Sequence, residues 1–381
     1  MVNIILGIGA ILIVVILFMI FRVGTLISVV RGTHKKRVDT SNRINAALFL
    51  VFFIVGGFAA VWSSFSASEF FLPQPSSAHG KDIDDLFWIS MGVIGAVFVA
   101  THILLFYFPF KYQYKEGRVA SFYPDNNKLE VVWTIIPAIV LTLLVLSGWK
   151  VWRDITADAP ENSEVVEVMG KQWNWLIRYP GKDKQMGSYN FRLIDATNEY
   201  GMDFADEKNF DDFTAPVMYL PKGKPVLFKI RARDVLHSVF VPHFRLKMDA
   251  VPGMPTRFWF TPTKTTQEMR DELNNPKFNY EMACTEICGR AHFSMRFQIV
   301  VVEEAEYNKW YAEQQSWLSK NRDYMAKVPA NLKEKALKVI GPEGGEPAAG
   351  DATSATDSQP VPAEVPVNPN VVTTKSNASI Q

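Results

Sequence analysis

Membrane helices, then an all-β exported domain, then a polar and disordered tail: this is the architecture the sequence predicts. Three observations predict it. The long apolar runs of the 381-residue chain lie almost wholly before residue 153. Short alternating runs punctuated by Pro and Gly fill 164 to 302, and residues 341 to 381 are dominated by Pro, Ala, Ser, Thr, Glu and Gly. With 40 Lys and Arg against 39 Asp and Glu, the chain lacks the basic field that a nucleic-acid binder needs. Its 2 cysteines cannot make a disulfide framework.

Four stretches carry hardly any charge: Met1 to Phe21, Ala46 to Trp62, Leu86 to Phe110 and Val131 to Trp149. Each is close to the roughly 17 to 25 residues that cross about 30 Å of hydrocarbon as a helix. Uncharged on every face, they read as spans rather than soluble core helices. Loops rich in Lys and Arg set the direction. Arg31, Lys35, Lys36, Arg37 and Arg43 lie between the first two spans, and Lys111, Lys115, Arg118 and Lys128 between the last two. Both loops are expected in the cytoplasm, so everything after residue 150 is exported. Positive charge follows the first segment instead of preceding it, which makes that segment an anchor and not a cleaved signal. The expected divisions are 1–62 (extra N-terminal membrane segments), 63–85 (exported loop), 86–152 (helical hairpin), 153–303 (β-domain), 304–340 (C-terminal helical segment) and 341–381 (tail).

The β-domain reads as a sandwich or barrel. Val226, Phe228 and Ile230 alternate with polar or basic neighbours, as one buried sheet face requires. Thr256 to Thr261, Tyr280 to Cys284 and Met295 to Val302 read as further strands. Residues 182 to 215, rich in Asp, Asn, Gly and Lys, have no sustained periodicity and are expected to form a surface insertion. One helix is expected from Glu304 to about Lys320. The tail cannot bury enough apolar surface to offset its chain entropy.

Both cysteines stand in one segment with an imidazole and a thioether: Cys284, Cys288, His292 and Met295. This is a soft ligand set. Thiolate and thioether favour copper, imidazole suits copper or zinc, and zinc has little use for a thioether. His237, just after an alternating strand, is the best candidate for a second imidazole. Two copper ions sharing both thiolates would use all these groups. A plain disulfide, a structural zinc site and an uninvolved strand-end histidine are the competing possibilities. No Cys-x-x-Cys-His occurs, so the chain carries no covalent c-type haem.

The sequence resembles the copper-A subunit of haem-copper oxidases, cytochrome c oxidase subunit 2, over roughly 80 to 310. The segment from Cys284 to Met295 holds the complete Cys-x-Glu-x-Cys-x-x-x-His-x-x-Met motif, and Asp234 to Ser238 with Leu246 to Gly253 matches the first-histidine region. The resemblance implies a cupredoxin-like β-domain. It implies that Cys284 and Cys288 bridge a dinuclear copper centre, completed by His237 and Met295 on one ion and by His292 and the Glu286 carbonyl on the other. It implies a magnesium ion at the Glu286 side chain, shared with the catalytic subunit. Gly170 to Trp175 is similar to the aromatic strand whose first tryptophan, here Trp173, accepts electrons from cytochrome c. Leu129 to Pro137 resembles the start of the second hairpin helix, implying that Glu130 stands at the mouth of a proton path.

The implied role is the electron-accepting subunit of an oxidase in a bacterial plasma membrane, its copper domain on the periplasmic side. The partners are the catalytic haem-copper subunit 1 and cytochrome c. A tethered β-domain with one structural disulfide, serving assembly or binding, is the alternative from another class. Departures from the family pattern are the two leading membrane segments, His243, Arg245 and Arg233 on the expected donor face, and the acidic insertion, which is expected to cover or replace part of that face.

Overall fold

The computed structural model describes residues 2–115 and 117–341. Four helices come first: α1 Val2–Val30, α2 His34–Ser66, α3 Ala78–Lys111 and α4 Asn127–Thr156. Each holds one of the four apolar stretches and is long and apolar enough to cross a membrane. Because the surrounding solvent would be lipid, their large side chains stay exposed. The two leading helices are not detached from the rest. Phe49, Phe52 and Phe53 of α2 surround Phe106 of α3, with ring centroids 5.7, 5.9 and 5.0 Å away.

Ten strands follow: β1 Glu164–Lys171, β2 Asn174–Tyr179, β3 Phe213–Thr214, β4 Met218–Pro221, β5 Val226–Ala232, β6 His237–Val241, β7 Leu246–Ala250, β8 Thr256–Phe260, β9 Tyr280–Cys284 and β10 Arg296–Val302. They form two five-stranded sheets, ordered β3-β2-β1-β5-β8 and β4-β10-β9-β6-β7. The expected alternation holds, with Val226, Phe228 and Ile230 buried and Lys229 exposed between them. Trp175, Ile177 and Tyr179 enter the same core, while Trp173 sits before β2 and stays out of it. A short helix, α5 Thr266–Glu272, carries a capping box between Thr265 and Glu268.

The expected single helix after the last strand is broken. It forms α6 Glu304–Ala312 and then α7 Trp317–Lys320, followed by α8 Lys333–Ile340. The Trp317 amide donates to the Asp212 carbonyl at 2.7 Å, and Ser316 caps the new helix by accepting from the Ser319 amide. The turn directs Trp317 and Leu318 into a second core with Met169, Tyr200, Met202, Phe204, Phe210, Val328 and Ala336. Segment 182–215 is therefore packed rather than loose. Together with the C-terminal helices it makes a lobe on the outer face of the first sheet. The polar tail expected from 341 lies, beyond residue 341, outside the described residues.

The sandwich is fastened to the hairpin at the turn after β6. Arg245 donates Nε to Asp84 Oδ1 at 2.6 Å and Nη2 to Asp84 Oδ2 at 2.9 Å, and the Ser76 amide donates to the His243 carbonyl at 2.6 Å. The expectation that His243 and Arg245 face an electron donor is corrected by these contacts. They occupy the membrane-facing end of β6, where the His243 ring is packed edge-on against Phe278 and Tyr280.

Candidate metal centre

Sheet register builds the centre. β6 and β9 pair with Val239 opposite Cys284, which puts the first residue of β6, His237, beside the last residue of β9. His237 Nδ1 lies 3.9 Å from Cys284 Sγ. The chain then leaves the sheet and returns in β10, with the Cys284 amide donating to the Met295 carbonyl at 3.1 Å. That loop gathers the remaining donors. Cys288 Sγ is 3.9 Å from Cys284 Sγ, 3.6 Å from His292 Nδ1 and 3.8 Å from Met295 Sδ. The Glu286 carbonyl oxygen is 3.2 Å from Cys284 Sγ, whereas its side chain is exposed.

Both thiols are free, and 3.9 Å is nearly twice the about 2.05 Å of a disulfide bond. His237, Cys284, Cys288 and Met295 are buried. Burial and then the neighbouring Cys284 push the Cys288 thiol up to about 11, so a bound cation is what would draw its proton off at neutral pH. The cluster thus offers two sulfurs, a thioether, two imidazoles and one carbonyl. That donor chemistry fits a soft, copper-like metal.

Neighbours fix the donors in place. His237 Nε2 lies 2.9 Å from Asp234 Oδ1, which leaves Nδ1 facing the sulfurs. The other Asp234 oxygen accepts from the Gln172 amide at 2.7 Å. Gly170 leaves room for the imidazole, since a Cβ there would stand 2.8 Å from the His237 ring. Gly289 has φ +121° and lies under Trp173, where a Cβ would be 3.1 Å from the indole nitrogen. Trp173 itself is 39% exposed, and its Nε1 donates to the Cys288 carbonyl at 3.2 Å. Gln172 Nε2 donates to the same carbonyl at 2.8 Å.

The structure therefore brings together His237, Cys284, Cys288, His292, Met295, the Glu286 carbonyl and Trp173. Glu130 stands apart, exposed in the first turn of α4, a 30-residue helix whose other end leads to the β-domain. Asp234 and Gln172 are positioning groups that residue types alone did not single out. The one available signal was an acidic residue three positions before His237. Arg233 bonds Glu199 at 3.0 Å, and Lys171 shares that carboxylate at 2.5 Å, so the insertion reaches the end of β1, two residues before Trp173.

Four membrane-capable helices bearing a β-sandwich with a sulfur-rich cluster at one end define a membrane-anchored β-domain with a candidate metal centre. Residues 65–151 match the family described as cytochrome C oxidase subunit II, transmembrane domain, and residues 164–304 match its periplasmic domain. The chain is 35% identical over 245 residues to the alternative cytochrome c oxidase subunit 2 of Bradyrhizobium diazoefficiens, covering 64% of this chain and 84% of that one. It is 27% identical over 250 residues to cytochrome c oxidase subunit 2 of Cereibacter sphaeroides, covering 63% and 78%. A crystal structure of the periplasmic domain of subunit II of cytochrome oxidase of Bradyrhizobium japonicum aligns with 41% of this chain and 95% of that one, at 25% identity and a TM-score of 0.27. The chain belongs to the cytochrome c oxidase subunit II family. It is a subunit of a haem-copper terminal oxidase, with a periplasmic β-domain carried on membrane helices.

Proposed function

We propose that this subunit receives single electrons from a cytochrome c at Trp173 and passes them, through a dinuclear copper centre, to haem in the catalytic subunit. Cys284 and Cys288 would bridge the pair, with His237, Met295, His292 and the Glu286 carbonyl as the remaining ligands. When bound, two metals sharing thiolates supply a redox site whose charge is spread over both, so that little nuclear rearrangement accompanies transfer. The protein's part is to hold the donors still. β6 and β9 fix His237 and Cys284, Asp234 keeps the imidazole turned toward the sulfurs, and burial excludes water from the site. The observation that carries the reading is the hydrogen bond from the exposed Trp173 to the carbonyl of Cys288, which joins the surface to a candidate ligand through one contact.

The exposed carboxylate of Glu286 is the proposed chain ligand for a magnesium ion shared with the catalytic subunit. Glu130 is the proposed collector of cytoplasmic protons at the opposite side of a bacterial plasma membrane. The separation of the two sulfurs counts against the disulfide-module alternative.

Metal analysis and electron paramagnetic resonance of the purified oxidase test the reading. Two coppers per chain and a mixed-valence signal are expected, altered by Met295→Leu and by His292→Asn. A spectrum indifferent to both substitutions, or a Cys284 to Cys288 disulfide in the active complex, overturns the ligand set. In addition, Trp173→Phe is expected to slow reduction by cytochrome c by about tenfold, a barrier change near 1.4 kcal/mol, without altering that spectrum.

A further inference from the structure

The outer face of the first sheet carries a second polar site, remote from the metal cluster. Between β1, β5, the start of β8 and residues 186–189 of the insertion lies a cavity of about 540 Å³. That is within the roughly 300 to 1,000 Å³ of small-molecule sites. Its charged lining is one carboxylate, Glu167, and four cations, Arg178, Lys229, Arg231 and Arg257.

The four cations are not equally committed. Arg178 is spent within the fold: Nε donates to Glu167 at 2.6 Å, Nη1 to Asn209 at 2.8 Å and Asp212 at 3.0 Å, and Nη2 to the Gly187 carbonyl at 3.1 Å. Arg231 is mostly buried, donating Nε to Glu167 at 2.7 Å and Nη2 to the Tyr200 carbonyl at 2.8 Å. This leaves Nη1 uncommitted, with the guanidinium held 4.0 Å over the Tyr189 ring. Lys229 has no ion-pair partner among the described residues. Arg257 pairs with Asp158 at 2.7 Å, but both are well exposed, and such pairs contribute little. Glu167 answers both guanidiniums and Asp212 pairs with Arg178 as well, so the excess of positive charge in the cavity comes chiefly from Lys229 and Arg257.

The cations are also arrayed regularly. Lys229 faces Arg257 directly across β5 and β8, and Arg231 is two residues further along the same face. The array spans about 5 Å across the strands and about 7 Å along them. That is wider than one carboxylate and suits linked phosphoryl groups, whose oxygens accept from guanidinium forks and ammonium alike.

We infer that this cavity binds a phosphate-bearing polyanion, with Lys229, Arg231 and Arg257 as its donors. The ligand chemistry has two sources, a soluble polyphosphate or nucleotide and the headgroup of a diphosphate lipid. The assignment stands independently of the metal centre, since none of these residues touches it.

Isothermal titration of sodium triphosphate into the intact oxidase, in neutral detergent at low ionic strength, is the test. Saturable binding at one site per subunit is expected. Lys229→Ala and Arg257→Ala should each weaken it at least tenfold, and Lys335→Ala, at an exposed cation outside the cavity, should not. Co-purification of each variant with the intact oxidase reports that it is folded. If Lys229→Ala does not assemble, Lys229→Gln is scored by the same criterion. In a second arm the complex is placed in nanodiscs with or without cardiolipin. Lipid-dependent loss of triphosphate binding that requires Lys229 assigns the site to a headgroup; binding unaffected by the lipid assigns it to the soluble anion. No saturable binding of triphosphate, or equal affinity in wild type, Lys229→Ala and Arg257→Ala, overturns the inference.

Discussion

Two buried polar clusters, one where β6 begins and β9 ends and one under the lobe on the first sheet, are completed in opposite ways. At the metal end, His237, Cys284, Cys288 and Met295 are buried electron-pair donors with no cationic side chain bonded among them. Under the lobe, Glu167, Arg178, Asp212 and Arg231 are as deeply buried but bring their own countercharges. Burying a charge is tolerable only with compensation. The ion pairs completed within the chain therefore serve the fold, with only Arg231 Nη1 left over for a ligand, whereas the soft donors at the other end have no cation bonded among them and form the candidate place for one from outside.

The largest expected effect breaks the self-completed cluster. Arg178→Ala leaves two carboxylates buried without their shared partner, a loss on the order of 3 to 5 kcal/mol. Because Arg178 also holds Asn209 and the Gly187 carbonyl, the damage should concentrate in the lobe. Faster proteolytic cleavage within 182–215 is expected, with the metal signal retained. Cleavage no faster than in wild type would show that the charges are not what holds the lobe.

A smaller effect is expected at the edge of the incomplete cluster. Asp234→Ala removes the acceptor of His237 Nε2 without touching a ligand atom. Outer partners of this kind typically contribute about 10- to 100-fold in metal affinity, which chelator competition on the intact complex would measure. An affinity equal to wild type would mean that β6 alone orients the imidazole.

The same contrast explains what could be read before the structure. Five of the six residues assigned to the metal lie in one segment, Cys284 to Met295, and the sixth, His237, follows an alternating strand, so local pattern exposed them. Trp173 was ambiguous, because its strand-mates Trp175, Ile177 and Tyr179 do enter the core and only the turn before β2 keeps it out. The lobe was not legible. Tyr200, Met202, Phe204 and Phe210 are buried from turns and short 3-10 segments, which have no period to detect, and their partner Trp317 is over a hundred residues away. Arg178 reads locally as a basic residue on a strand. Nothing nearby announces that Asp212 will meet it. Arg245 misled in the same way, since its partner Asp84 belongs to a membrane helix.

The smallest effect concerns one carboxyl within the self-completed cluster and is read against pH. Burial dominates at Asp212 and pushes it up to about 7 despite Arg178, and its Oδ1 has no hydrogen-bond partner. At Glu167 burial also acts upward, but Arg178 and Arg231 override it and bring the group down to about 2. The signs follow from proton linkage. Glu167 binds its proton less tightly when folded, so its contribution is present above pH 4.5 and is lost as the pH falls toward 2. Asp212 binds its proton more tightly when folded, so its contribution is greatest below 3.8 and is lost as the pH rises through 7. Asp212→Asn should therefore flatten the decline in thermal stability between about pH 4 and pH 7, an effect on the order of 2 kcal/mol, and leave the acid limb set by Glu167 in place. An unchanged slope would mean that Asp212 is ionised beside Arg178 throughout. The cluster would then be fully charge-paired, and the positive excess of the neighbouring cavity would rest on Lys229 and Arg257 alone.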